Sequence, residues 1–326
     1  MATTAITGAA GFIGTHVAET LLTRGDTVVG LDNFNDFYDP AIKRANIEYL
    51  QRWDGFQLIE GDIRSADSLD EVFGNRDVDT IVHLAARAGV RPSVEDPSLY
   101  ADVNVRGTIQ VLEAAVRHGV GRFVFASSSS VYGANTKTPF HETDPVELPE
   151  SPYAATKRAG ELLCRTYHHL HAKTGPLRDL AVLRFFTVYG PRQRPEMAIS
   201  KFTARMIQGL SIPMYGDGSS LRDYTYVDDI VAGVIAAIDR GSGYRIFNLG
   251  GGQPIRLDAM IAAVARAVGV EPNVEELPMQ PGDVRLTVSD CSRAGEELGY
   301  QAQTSLEDGI SEYVKWHMIH RLDRDR

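Results

Sequence analysis

Cysteine is scarce in this sequence. Only two cysteines, Cys164 and Cys291, occur among 326 residues, and they lie too far apart in the chain to form a paired metal-binding motif. A disulfide framework and a zinc site are therefore not expected. We expect a protein of a reducing compartment, the cytoplasm, with no metal ion.

Positive charge and long apolar runs are also lacking. Lys and Arg number 33 against 43 Asp and Glu, and the formal net charge of -10 opposes binding to nucleic acid or anionic lipid. No apolar run reaches the length needed to cross a bilayer. The N-terminus enters a strand-like segment without the apolar stretch of a signal peptide. We expect no nucleic-acid partner, no membrane segment and no export.

Short β-branched runs alternate with longer amphipathic segments in the first half of the chain. This alternation predicts an α/β protein with a Rossmann-type doubly wound parallel sheet. The second half is irregular and rich in Pro and Gly, which indicates a loop-rich, smaller α/β C-terminal domain that binds the substrate. We assign 1–186 to the first domain, with its sheet completed by about 226–250, and 187–326, interrupted by 226–250, to the second. The predicted strands are Thr4–Thr7, Thr27–Leu31, Phe56–Glu60, Thr80–Leu84, Arg122–Ala126, Ala181–Phe185 and Tyr244–Leu249.

A glycine-rich turn follows the first predicted strand and opens a helix. Glycines there let a pyrophosphate approach the unpaired N–H groups of the helix N-terminus. Asp32 ends the second strand, where its carboxylate can accept from ribose hydroxyls and would repel a 2′-phosphate, so NAD is favoured over NADP. The predicted cofactor contacts from these strand ends are Gly8, Gly11, Phe12, Ile13, Gly14, Asp32, Asn33, Asp62, Ile63, Leu84, Ala85 and Ala86.

A tyrosine and a lysine four residues apart, Tyr153 and Lys157, lie on one face of a predicted helix. A cation beside a phenol favours the phenolate, so we expect a lowered tyrosine pKa and a base for a sugar hydroxyl. Ser128 follows the fifth predicted strand, at the same end of the sheet as the glycine turn. Its hydroxyl can hydrogen-bond the reacting oxygen.

With these motifs in this order, the chain resembles the extended short-chain dehydrogenases/reductases along nearly its whole length. The resemblance implies that Ser128, Tyr153 and Lys157 are the catalytic set, and that Tyr153 and Lys157 also contact the cofactor. Asn104 is similar to the family's structural or relay asparagine, which we place among the cofactor contacts. The family's bound NAD and frequent homodimer are implied in the same way.

The residues after Ser128 distinguish reactions that share a 4-keto sugar intermediate. Dehydratases of this family carry an Asp-Glu pair there, and UDP-glucuronate decarboxylases typically carry Glu where Ser130 stands. This chain has Ser129 and Ser130. Oxidation and re-reduction, which inverts C4 of a UDP-sugar, is the simplest remaining chemistry. A decarboxylase, a UDP-glucose/UDP-galactose 4-epimerase and a non-catalytic NAD-binding sensor are the alternatives.

Further segments resemble those that bind the nucleotide and the sugar. Arg222 matches an arginine for the diphosphate and Asp283 an acid for the ribose. The segments 31–40, 184–191 and 194–198 resemble the signature of UDP-glucuronate 4-epimerases, which makes UDP-glucuronate the favoured substrate. A carboxylate beside a C4 ketone loses CO₂ unless its charge stays stabilised, and hydroxyl or guanidinium donors provide that. The candidate donors are Ser127, Ser128, Ser129, Thr187, Arg87 and Arg194.

Overall fold

A computed structural model describes residues 2–74, 76–278 and 286–320. Seven of the strands form one parallel sheet in the order β10-β6-β5-β4-β1-β2-β3, a second sheet has the order β11-β9-β7, and β12 pairs with β8. The strands are β1 (Thr3–Thr7), β2 (Thr27–Asp32), β3 (Phe56–Glu60), β4 (Thr80–His83), β5 (Arg122–Ser128), β6 (Asp179–Phe185), β7 (Thr187–Tyr189), β8 (Ile212–Tyr215), β9 (Leu221–Tyr226), β10 (Tyr244–Leu249), β11 (Pro254–Arg256) and β12 (Val274–Leu277).

Helices connect these strands. Two irregular turns interrupt the pattern near the site, a π-helical turn at Ala101–Arg106 and a 3₁₀ turn at Ser129–Tyr132. No helix in the described ranges is long and apolar enough to cross a membrane. The α-helices are α1 (Phe12–Thr23), α2 (Pro40–Leu50), α3 (Ala66–Phe73), α4 (Val90–Glu95), α5 (Pro97–Tyr100), α6 (Gly107–Arg117), α7 (Pro152–His171), α8 (Ala198–Ile207), α9 (Val227–Arg240), α10 (Leu257–Val268), α11 (Ser292–Leu298) and α12 (Leu306–His320).

The large sheet is buried on both faces. Neighbouring residues of one strand belong to different apolar clusters: Val28 and Val124 pack on one face, and Val29 and Phe125 on the other. Side chains alternate across a strand, so this division requires helices on both sides. The doubly wound parallel sheet predicted from the sequence is therefore confirmed, and each predicted strand is present with ends that differ by no more than two residues.

The second half of the chain is more regular than the sequence suggested. Its helices α8, α10 and α12 contribute to the same apolar cluster as α1 and α9, which cover one face of the large sheet. The prediction of a loop-rich region was wrong because Pro and Gly lie between these helices rather than within a long irregular segment. Because α8, α10 and α12 share one apolar core with α1 and α9, the second half of the chain is packed against the first half.

Candidate active site

A single cleft of about 410 Å³ runs along the carboxyl ends of the sheet strands. Parallel strands of an open sheet present their carboxyl ends at one edge, which is where ligands bind in such folds. Nineteen of the residues predicted for the site line this cleft. They are Gly8, Gly11, Phe12, Ile13, Gly14, Asp32, Asn33, Asp62, Ile63, Leu84, Ala85, Ala86, Arg87, Ser127, Ser128, Tyr153, Lys157, Thr187 and Arg194.

The backbone of the turn from Gly8 to Gly14 forms a cradle that leaves no space for a side chain at Gly8 or Gly14. A Cβ on Gly14 would lie 2.1 Å from the Gly8 carbonyl oxygen, and Gly8 itself has a φ of +75°. Helix α1 begins after Gly11, which supplies no side-chain cap, so the first N–H groups of the helix remain available to a ligand. These features fit the pyrophosphate of a dinucleotide such as NAD, which needs close backbone approach and the positive end of a helix.

Two carboxylates mark the far end of the cleft. Asp32 accepts from the Ala10 N–H at 3.0 Å and the Phe34 N–H at 2.9 Å, and burial raises its pKa. Each oxygen keeps a second lone pair that can accept from a ribose hydroxyl. Asp62 accepts from the Arg64 guanidinium, which holds the pKa of this carboxyl well below its usual range. Asp32 can therefore accept from a ribose of a dinucleotide, whereas the Asp62 oxygens already accept from Arg64 and Asn33.

The tyrosine, lysine and serine of the predicted catalytic set share the opposite end of the cleft. Helix α7 begins at Pro152, with the Ser151 side chain accepting from the Ala154 N–H at 3.1 Å, and so presents Tyr153 in its first turn. Lys157 lies one turn further along and donates from Nζ to the Ala126 carbonyl at 2.8 Å. Strand β5 ends at Ser128, which hydrogen-bonds Tyr153.

The expected lowering of the Tyr153 pKa by Lys157 was wrong. Burial raises the pKa of Tyr153, while the Ser128 hydrogen bond and the charge of Arg194 act in the opposite direction. Burial also lowers the pKa of Lys157 to about 8, so this side chain remains mainly protonated at neutral pH. Desolvation outweighs the neighbouring cation because both side chains lie inside the cleft.

Ser127 is not arranged as a donor to a substrate. Its hydroxyl donates to the buried carboxylate of Glu161 at 2.6 Å, and only 3% of the residue is exposed. That carboxylate also accepts from Arg184 Nε at 2.8 Å. Ser127 therefore fixes the end of β5 against α7, and the donors left for a sugar carboxylate are on neighbouring residues.

Three of the predicted contacts in the described part of the chain fall outside the cleft wall. Asn104, in the π-helical turn, donates to the Arg87 carbonyl at 2.9 Å and to Thr156 Oγ1 at 3.0 Å, so it is buried behind the site. Ser129 lies in the 3₁₀ turn after β5 and is not a lining residue. Arg222 is also absent from the wall, and its NH1 donates to the Leu221 carbonyl. Asp283 lies outside the described residues.

In the described part of the chain, Arg222 forms no ion pair with Asp228 or Asp229, the acids that follow it, and its NH1 donates to the Leu221 carbonyl instead. Asp229 accepts from the backbone N–H groups of Gln303 and Thr304, and Asp228 lies 4.0 Å from His16. The guanidinium is therefore not held by either acid.

The sequence reasoning missed one wall of the cleft. Residues of the β2–α2 connection line it, although they were noted only as part of a family-like segment. The available signal was the dense run of Asn and Asp, which favours ordered turns over a flexible loop. The missed residues of this connection and of helix α2 are Asn35, Phe37, Tyr38 and Lys43.

The chain is similar to known proteins over most of its length. The sequence profile of the NAD dependent epimerase/dehydratase family matches residues 4–250. The chain is 42% identical to a UDP-glucuronate 4-epimerase of Thermodesulfobacterium geofontis, over 95% of this chain and 94% of that protein. It is 43% identical to UDP-glucuronate 4-epimerase 4 of Arabidopsis thaliana, over 97% of this chain and 75% of that protein.

A solved structure has the same fold over nearly the same length. It is the UDP-glucuronic acid 4-epimerase of Bacillus cereus in complex with UDP-glucuronic acid and NAD. The TM-score is 0.89 at 34% identity, with 97% of this chain and 99% of that chain covered.

Proposed function

Since the chain belongs to the NAD dependent epimerase/dehydratase family, we propose that it is an NAD-dependent isomerase that inverts C4 of UDP-glucuronate to give UDP-galacturonate. The observation that carries the proposal is the meeting of a dinucleotide cradle with Ser128, Tyr153 and Lys157 on one cleft. Serines rather than carboxylates follow Ser128, so the groups for elimination are missing from that turn.

Each catalytic side chain has a definite task in this reaction. NAD, when bound, supplies the acceptor that takes the C4 hydride and later returns it. Tyr153 Oη takes the proton of the C4 hydroxyl, and Ser128 Oγ hydrogen-bonds the same oxygen as it becomes a carbonyl. Lys157 keeps positive charge behind the phenol. After the 4-keto sugar turns over, the proton returns from Tyr153 and the hydride reaches the opposite face of C4.

The sugar must turn while the nucleotide stays bound, so binding energy should concentrate on the UDP. We propose that residues 187–326, apart from about 226–250, bind the nucleotide, with Arg222 at the diphosphate and Asp283 at the ribose. Thr187 begins β7 and lines the cleft, where its hydroxyl can donate to the C5 carboxylate. Such a donor stabilises the charge that would otherwise leave as CO₂.

The test is incubation with UDP-glucuronate carrying deuterium at C4, without added NAD. We expect UDP-galacturonate that retains the label, because the hydride never exchanges with water. Mass spectrometry after chromatographic separation reads both results. Loss of the label to water during inversion would contradict the mechanism. A UDP-pentose product would indicate decarboxylation, and inversion of UDP-glucose alone would indicate a neutral substrate.

We further propose that the enzyme is a homodimer that covers one side of α7. Leu162 and Leu170, eight residues apart on this helix, are 50% and 60% exposed. Val94, on the adjoining helix α4, is 64% exposed. Light scattering should give twice the chain mass for the wild type and for a Leu210→Arg control, and the chain mass for Leu162→Arg. A monomeric wild type at micromolar concentration would refute the dimer.

The cytoplasm is our proposed location. Both cysteines are free thiols. Burial raises the pKa of Cys164 and raises that of Cys291 to about 11, so both remain unreactive thiols at neutral pH.

A further inference from the structure

The connection between β2 and α2 is folded by its own side chains. Asn and Asp accept from the backbone N–H two residues further along, which is the hydrogen bond of an Asx turn. Lys43 fixes the centre of the connection by donating to the Asn35 carbonyl at 2.7 Å. The four successive bonds are Phe34 N to Asp32 Oδ1 (2.9 Å), Asn35 N to Asn33 Oδ1 (3.1 Å), Phe37 N to Asn35 Oδ1 (3.1 Å) and Ala41 N to Asp39 Oδ1 (2.9 Å).

This ordered connection presents Phe37 to two arginines from other parts of the chain. The guanidinium carbon of Arg87 lies 5.6 Å from the centre of the Phe37 ring, and that of Arg194 lies 5.5 Å from it. Arg87 follows β4 and Arg194 precedes α8. One ring therefore joins three separate connections, and all three side chains line the cleft.

The two arginine contacts are partly shielded from water. The Arg87 side chain is 17% exposed and the Arg194 side chain 22% exposed. Their acidic partners are at the surface: Asp36, 3.9 Å from Arg87, has a 91% exposed side chain, and Glu196, 2.9 Å from Arg194, has a 45% exposed one. Cation–π attraction strengthens as water is removed, whereas exposed ion pairs contribute little. The aromatic ring is thus the main element that connects the two guanidinium groups.

We infer that Phe37, Arg87 and Arg194 form a clasp across the cleft that retains NAD during turnover. The inference rests on the proposed function, in which the same cofactor molecule must stay bound while the sugar turns. The cradle at Gly8–Gly14 and the tyrosine at 153 lie on the same cleft as the clasp. A dinucleotide that contacts both features therefore shares the cleft with the three clasp side chains. Phe37 acts as a positioning residue, since it orders the two arginines and takes no part in proton or hydride transfer.

The clasp is tested by the rate at which loaded NAD leaves the protein. Wild type, Phe37→Ala and Phe37→Leu are saturated with NAD, freed of excess by gel filtration, and mixed with an NAD-hydrolysing enzyme that destroys each released molecule. Leucine keeps apolar bulk but lacks the ring face that attracts a cation. The matched control is Arg44→Gln, because Arg44 lies 4.2 Å over the Phe34 ring yet does not line the cleft.

We expect both Phe37 variants to release NAD about tenfold faster than wild type and Arg44→Gln to release it at the wild-type rate. The KM for added NAD should rise in both Phe37 variants and stay at the wild-type value in Arg44→Gln, because only the Phe37 variants lose cofactor retention. If Phe37→Leu releases NAD at the wild-type rate, the cation–π contacts do not retain the cofactor. If Phe37→Ala also releases NAD at the wild-type rate, Phe37 forms no clasp of any kind. Failure of the wild type to invert UDP-glucuronate would refute the proposed function and leave the release rates interpretable.

Discussion

Glu161 accepts four side-chain hydrogen bonds behind the active site, and replacing it with glutamine should destabilise the protein strongly. Its side chain is fully buried. One oxygen accepts from Ser127 Oγ at 2.6 Å and Arg184 Nε at 2.8 Å, and the other from Arg184 NH2 at 2.8 Å and Arg158 NH1 at 3.0 Å. Glutamine keeps the shape but removes the charge and replaces an acceptor oxygen with a donor. Arg184, 1% exposed, would then remain buried without its counter-ion.

The size of the effect follows from the buried charge. Breaking a buried ion pair by removing one partner costs about 3–5 kcal/mol. An unfolding entropy of about 2.1 cal/mol/K per residue gives about 0.7 kcal/mol/K for a chain of this length. The melting temperature of Glu161→Gln should therefore fall by about 4–7 °C. Arg184 holds the pKa of Glu161 below its usual value, so this stabilisation is present at neutral pH and is lost as the pH falls through the lowered pKa.

Calorimetry and urea unfolding measure this prediction at pH 7. The matched control is Glu113→Gln, because Glu113 is exposed and accepts only from the exposed Tyr167 hydroxyl in the described part of the chain. The control should change the free energy of unfolding by less than about 1 kcal/mol. A change in Glu161→Gln no larger than in the control would refute the assignment of a buried, charged network.

Three substitutions in the site distinguish effects on ligand binding and folding from effects on the reaction. A fourth, at a buried histidine, tests the pH dependence of stability. Tyr153→Phe should keep NAD bound and abolish turnover, as bound-cofactor assay and product analysis would show, because the acid–base group is lost. Thr187→Ala should release more UDP-pentose than wild type, as chromatography of the products would show, because the carboxylate loses a donor. Ser127→Ala should lower the unfolding free energy by about 1.5–3 kcal/mol in urea titration and leave KM for UDP-glucuronate unchanged, because its hydroxyl already bonds a buried charge. Burial lowers the pKa of His83 to about 3, so the unfolded chain binds a proton that the folded state does not, and stability falls as the pH drops below about 6.5. His83→Asn should remove about 2 kcal/mol of the difference in unfolding free energy between pH 7 and pH 5.

Each of these results has a clear contrary outcome. Normal turnover by Tyr153→Phe would remove that residue from proton transfer. No UDP-pentose above the wild-type amount from Thr187→Ala would show that another group holds the carboxylate. If Ser127→Ala raises KM for UDP-glucuronate and leaves the unfolding free energy unchanged, Ser127 donates a hydrogen bond to the substrate after all. An unchanged pH dependence in His83→Asn would mean that other groups cause the acid sensitivity. His16→Gln tests one of these groups, since burial lowers the pKa of His16 to about 4.

The local chemistry of the site could be predicted from the sequence because it depends on short spacings. Glycines at 8, 11 and 14 define a turn that only bare backbone permits. Tyr153 and Lys157 are four residues apart, so they lie on the same face of a helix wherever that helix packs in the fold. Strand periodicity likewise predicted a parallel sheet, and parallel strands bring their carboxyl ends to one edge wherever the helices lie.

Tertiary structure alone decided which neighbours each side chain meets. Ser127 and Glu161 are 34 residues apart in the chain, and only the packing of α7 on β5 joins them. Burial likewise reversed the expected direction of the Tyr153 pKa shift, since desolvation depends on the whole surrounding protein. The ring of Phe37 meets arginines from two distant connections for the same reason. The sequence by itself determined which reactive groups are present, and three-dimensional packing determined which of them face a ligand and which support the protein.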